Sequence, residues 1–138
     1  MSATLLTGIA RTTEPQLALR RFLALDAVVT GVNGAAYAAA SGPLGRFLGV
    51  DSGFLLGLGV FLVLYAVALG VLAGRRSPAG GAVSAVVEAN LLYAALSFVS
   101  AVLWFDPTTA GAVWIPLQAV VVALFAVLQY TALRAVRR

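Results

Sequence analysis

Long apolar runs bounded by arginine, glycine, proline or aspartate recur four times along this chain and predict four helices that cross a bilayer. The runs cover residues 22–40, 54–73, 82–105 and about 112–133. Each comes close to the about 20 residues needed to span a hydrocarbon core roughly 30 Å thick, at about 1.5 Å of rise per residue. The four runs take up most of the 138 residues, which predicts one all-α transmembrane domain over residues 1–138, a membrane four-helix bundle.

The interruptions carry the boundary signals. Thr13 followed by Gln16 makes a capping-box pattern, and Pro15 suits a first helical turn, so the first helix is expected to start before the membrane does. Arg20 and Arg21 then mark the interface. Ser41, Gly42 and Pro43 are expected to end this helix, leaving residues 43–50 as a connecting loop. Asp51 or Ser52 can cap the second helix, which stops at Gly74, Arg75 and Arg76, and residues 77–81 read as a tight turn. Asp106 and Pro107 end the third helix, and Thr108 or Thr109 can cap the last, with Pro116 in its first turns. Residues 1–12 lack the ordered basic, apolar and small-residue regions of a secretory signal and read as a tail.

Composition narrows the chemistry. The chain is 62% hydrophobic and 10% charged, far from the balance of a soluble domain. It has no cysteine and no histidine, which excludes disulfides, thiolate or imidazole metal sites, histidine-ligated haem and cysteine or histidine catalysis. No metal or cofactor is expected. The net charge of +4 comes from nine arginines, which flank the apolar runs as topology requires; this argues against a nucleic-acid partner. Eight of the nine fall on one side of the predicted spans, leaving Arg46 alone on the other. That bias predicts a multi-pass protein of the cell membrane with both termini cytoplasmic. The plan reads as two helical hairpins in parallel repeat, each returning to arginines.

Polar residues inside the spans are the candidates for function, because lipid offers them no hydrogen bonds and an ionisable side chain there is costly. Asp26, Thr30, Asn33 and Tyr37 recur at intervals of four, three and four and share one face of the first helix. Asn90, Tyr93, Ser97, Ser100 and Trp104 form a second stripe on the third helix, and Trp114, Gln118, Phe125 and Gln129 lie near one face of the fourth. The simplest packing points the three stripes at one another. Glu88 is set about 200° from Asn90 and so falls outside the stripe; it reads either as a functional carboxyl or as an interfacial partner of Arg75 or Arg76. Asp26 has the same two readings, with a pocket role favoured by its stripe. Trp104 and Trp114 suit an outer aromatic belt.

Small residues suggest where backbones approach. Ala27, Gly31, Ala35 and Ala39 repeat every four residues on the first helix, and Ala66, Gly70 and Gly74 on the second, so these helices are expected to pack closely, within one chain or across a homo-oligomer.

The run from Thr30 through Gly31, Val32, Asn33, Gly34, Ala35 and Ala36 to Tyr37, in an arginine-preceded first helix followed by Pro43, resembles the opening of DoxX-like small membrane proteins. The likeness covers the first helix and the four-span plan. It implies a four-helix bundle, and because some DoxX-like proteins are linked to quinone-coupled oxidoreductases, it implies an apolar ring compound as ligand. The absence of histidine and of any redox centre departs from an oxidoreductase role.

Three functions fit. The first is a polar-lined intramembrane pocket for an apolar or lipid-like small molecule. It could be a cofactor-free acid/base isomerase, cyclase or epoxide-opening enzyme, with Asp26 and Glu88 as catalytic carboxyls and Thr30, Asn33, Tyr37, Asn90, Tyr93, Ser97, Trp104 and Gln118 contacting substrate. The second is a proton-coupled transporter, against which the one-sided arginines argue if it requires dual topology. The third is a non-catalytic subunit of a membrane complex.

Overall fold

The computed structural model describes residues 14–103 and 106–137 and is all-helical. The predicted tail, the Thr13 cap and Trp104 lie outside the described residues. Five helices follow in order: α1 (Glu14–Ala39), α2 (Ser41–Leu48), α3 (Ser52–Gly74), α4 (Gly80–Leu103) and α5 (Thr109–Arg137). All but α2 are long and apolar enough to cross a bilayer. Their outer faces are covered by large apolar side chains such as Val32, Leu64 and Val102, the last 80% exposed. Among the described residues the buried positions, by contrast, include Asp26, Asn90, Gln118 and Gln129. A surface more apolar than parts of its interior suits lipid as the outer solvent.

The predicted loop over residues 43–50 is mostly helix instead. Pro43 sits in the first turn of α2, where its missing N–H costs no hydrogen bond, so it does not break the helix. Leu48 and Gly45 face inward while Arg46 and Phe47 are exposed. Gly49 ends α2 in the left-handed region at φ 74°, and its N–H donates to Gly45 O at 2.9 Å. The segment before α5 docks on this end: Thr108 N donates to Leu48 O at 3.2 Å, and the Thr108 hydroxyl donates to Phe47 O. A Cβ on Gly49 would meet backbone atoms of Asp106, Pro107 and Thr108 at 2.6 to 2.9 Å. Gly49→Ala combines this crowding with a strained φ, and is expected to cost about 2 kcal/mol, read as a lower thermal midpoint in detergent.

The other caps follow the sequence. Asp51 Oδ2 accepts from Phe54 N at 2.9 Å, and Thr108 Oγ1 accepts from Gly111 N at 3.2 Å. Because α5 starts at Thr109 rather than near residue 112, Pro116 lies inside the helix.

Two tight pairs, α1 with α3 and α4 with α5, are joined mainly through α1 and α5. The helices α3 and α4 scarcely approach each other. The α1–α3 crossing is within the chain, but only part of the predicted small-residue pattern makes it. A Cβ on Gly34 would lie 2.8 Å from Gly59 O, one on Gly59 would lie 2.6 Å from Ala38 N, and one on Gly31 would lie 3.3 Å from the Ala66 side chain. Ala35 and Ala39 are exposed instead, and Gly70 and Gly74 face open space. Strict steps of four drift by about 40° each around a helix, so the contact face follows 31, 34 and 38 rather than 31, 35 and 39.

The arginine-bearing helix ends gather at one end of the bundle. Arg20 Nε donates to Ala73 O at 3.0 Å, Gln16 Nε2 donates to Arg76 O at 3.1 Å, and Arg137 borders Gly80. An apolar cluster around Leu19, Leu23, Leu69, Val83 and Leu133 fills this end. A second cluster around Tyr37, Leu48, Leu55, Leu62 and Ile115 fills the other. The polar stripes meet between them.

Candidate functional site

Four helices converge on the carboxyl of Asp26, which is 1% exposed. One turn on, Thr30 Oγ1 donates to Asp26 Oδ1 at 2.8 Å. From α4, Asn90 Nδ2 donates to Asp26 Oδ2 at 2.9 Å, and from α5, Gln129 Nε2 donates to the same oxygen at 2.8 Å. Asn90 Nδ2 also donates to Gln129 Oε1 at 3.0 Å, and the Tyr65 hydroxyl of α3 donates to Asn90 Oδ1 at 2.9 Å. Every contact at the carboxyl comes from a neutral donor. Arg20 is spent on Ala73 O and Arg21 is exposed, so the interfacial ion-pair reading of Asp26 is not realised.

Beyond this node lies a cavity of about 250 Å³. Asp26, Thr30, Asn33, Asn90, Tyr93 and Gln118 supply its polar wall, and Leu62, Val121, Val122 and Phe125 its apolar one. Phe61 and Tyr65 border it from α3, Ala89 and Tyr93 from α4, on either side of the seam where those helices stand apart. The Phe61 and Tyr65 rings stack nearly parallel, with centroids 6.0 Å apart. A second cavity of about 360 Å³ adjoins the first through a wall shared by Tyr93, Trp114 and Gln118. Tyr37, Leu55, Leu58, Leu96 and Ser97 line it. The Ser97 hydroxyl donates to Tyr93 O of its own helix at 2.8 Å, leaving this chamber largely apolar.

The structure thus brings together Asp26, Thr30, Asn33, Asn90, Tyr93 and Gln118 around one cavity, with Tyr37 and Ser97 in the next. Glu88 does not join them. It is exposed and borders a different groove, between α4 and α5, with Ser84 and Tyr130. Trp114, expected in an outer belt, turns inward: its Nε1 donates to Tyr37 OH at 2.6 Å and its ring lines both cavities. Gln129, legible as part of the α5 stripe, proves to be a direct partner of Asp26. Tyr65 was the residue the pattern concealed. Its one visible signal is that it carries a hydroxyl in an otherwise apolar run.

Gln118 is the exception in an otherwise satisfied interior. Its Nε2 donates to Ile115 O at 3.0 Å, but its Oε1 is the one buried side-chain nitrogen or oxygen among the described residues without a hydrogen-bond partner. No group of three or more histidine, cysteine, aspartate or glutamate side chains suited to a metal occurs among the described residues.

Fold and site together define a helical bundle with four helices able to span a membrane and a partly open, mainly apolar cavity with polar side chains on one wall. No family model matches the chain, and neither a curated protein nor a solved structure matches it.

Proposed function

We propose that this protein binds an apolar small molecule, taken from the bilayer through the α3–α4 seam into the cavity beside Asp26. The observation that carries this reading is the cavity itself: an apolar chamber with polar groups on one wall, set among helices long enough to span a membrane and bordered by α3 and α4, which scarcely approach each other. The arginine end faces the cytoplasm of a cell-membrane protein under the positive-inside rule, with both termini on that side and the two hairpins as parallel repeats. The DoxX-like resemblance of the first helix agrees with an apolar ligand.

Binding is favoured over turnover. Asp26 accepts three hydrogen bonds from the chain's own donors, out of about four that a carboxylate can accept, and so is committed to holding helices together. Acid/base chemistry keeps one supporting observation: Thr30, which touches Asp26, also lines the cavity and could relay a proton between them.

Val121→Trp, which fills the first chamber from α5, tests the reading. A photoreactive alkyl probe in nanodiscs should label residues of α3 and α4 bordering the cavity in the wild type, and the labelling should fall about tenfold in the variant. Labelling spread evenly over the lipid-facing surface and unchanged by Val121→Trp would contradict an internal site.

A further inference from the structure

We propose that the molecule held in this cavity presents a hydrogen-bond donor, a hydroxyl or N–H group, to Gln118 Oε1. The inference rests on the reading that the cavity binds an apolar molecule, and it adds that molecule's polar chemistry. Gln118 is 8% exposed and stands on the wall common to both chambers. Its orientation is fixed locally: Nε2 donates to Ile115 O at 3.0 Å, and turning the amide over would set two oxygens against each other there. The side-chain oxygen is therefore the atom left for a partner; among the described residues it has none, and because the oxygen is itself buried, a donor in the chambers reaches it as neighbouring side chains give way.

A buried acceptor without a partner carries its full desolvation penalty, and a donor arriving in the cavity relieves it. An ether, ketone or quinone offers acceptors only and would oppose lone pair to lone pair. An alcohol or phenol satisfies the site. The position also orients the ligand: the donor sits at the junction flanked by the aromatic rings of Tyr93 and Trp114, with apolar parts extending into chambers of about 250 and 360 Å³. The class is an amphiphile with one donor on a ring or chain.

The test is competition between 4-octylphenol and its methyl ether, 4-octylanisole, which differ in little but the donor. Equimolar mixtures are added to the purified protein in detergent, and the two bound masses are read by native mass spectrometry. The wild type is expected to favour the phenol by about tenfold, and Gln118→Leu to bind both about equally. Gln118→Met, a close match in length, should repeat the result and guards against misfolding of the leucine variant. Equal occupancy by both compounds in the wild type, abolished by Val121→Trp, would overturn the donor assignment while leaving the binding site intact. A phenol preference that survives both Gln118 substitutions would also overturn it. Binding of neither compound would overturn the assignment and the binding reading together.

Discussion

Asp26→Asn is expected to lower the stability of the bundle by about 2 kcal/mol, although it changes the side chain's size hardly at all. The reason lies in the direction of the hydrogen bonds. Asn90 and Gln129 both donate to Asp26 Oδ2, at 2.9 and 2.8 Å, and the amide can offer only one acceptor oxygen to the three donors. Only one orientation of the amide avoids opposing donors: its oxygen accepts from both Asn90 and Gln129 and its N–H group donates to the Thr30 hydroxyl, so the bonds to a carboxyl are replaced by weaker ones to an amide. Thr30→Val, which removes only the single partner of Oδ1, should cost about 1 kcal/mol, in keeping with ordinary interhelical hydrogen bonds in membranes. Titration from mixed micelles into SDS measures both. Exchanging the pair, Asp26→Asn with Asn90→Asp, returns a carboxyl to the same group of donors and should recover part of the loss, a coupling that a double-mutant cycle reads directly. A cost no larger than that of Thr30→Val would show that the network does not hold the helices.

The second large effect is expected at the α1–α3 crossing. Gly59→Ala places a methyl group 2.6 Å from Ala38 N and 2.7 Å from Gly34 O, both backbone atoms that cannot swing aside. The helices must separate, at a cost of about 3 kcal/mol by the same SDS titration. Gly70→Ala is the matched control. A Cβ there meets nothing within 4 Å, and alanine is the better helix former, so this variant should be as stable as the wild type or slightly more so. If the two substitutions behaved alike, the crossing would not be where the structure has it.

These two sites differ in how far the sequence disclosed them. The four long helices and most of their caps were legible, because apolar runs of membrane length have few other uses and Asp51 and Thr108 stand where caps belong. The polar stripes were legible for a related reason. Steps of three and four between rare polar residues define a face almost uniquely, and Asp26, Thr30, Asn33, Asn90, Tyr93 and Gln118 do meet. Helix α2 was hidden by Gly42 and Pro43, which read as breakers although a proline in a first turn does no harm. The crossing face was misplaced because alanine and glycine are so frequent in these spans that several small-residue stripes can be drawn. The position of the polar stripe, about 100° away, selects the one that contains Gly31 and Gly34. Tyr65 could not be singled out: in an apolar run a tyrosine looks like any other core aromatic until Asn90 is seen opposite it. The free oxygen of Gln118 lay beyond sequence altogether, since only packing decides which buried polar atoms find partners.

The node at Asp26 also bears on the order in which the protein is made. Its two amide partners lie 64 and 103 residues further along the chain, while only Thr30 lies on the same helix. Synthesis from the N-terminus therefore delivers the carboxyl with α1, the Asn90 donor three helices later with α4, and Gln129 only with α5. The link between α1 and α5, which ties the two tight pairs into one bundle, forms last for the same reason. Assembly of the bundle therefore waits on α5, when the helix that carries the carboxyl meets the helix that carries Gln129.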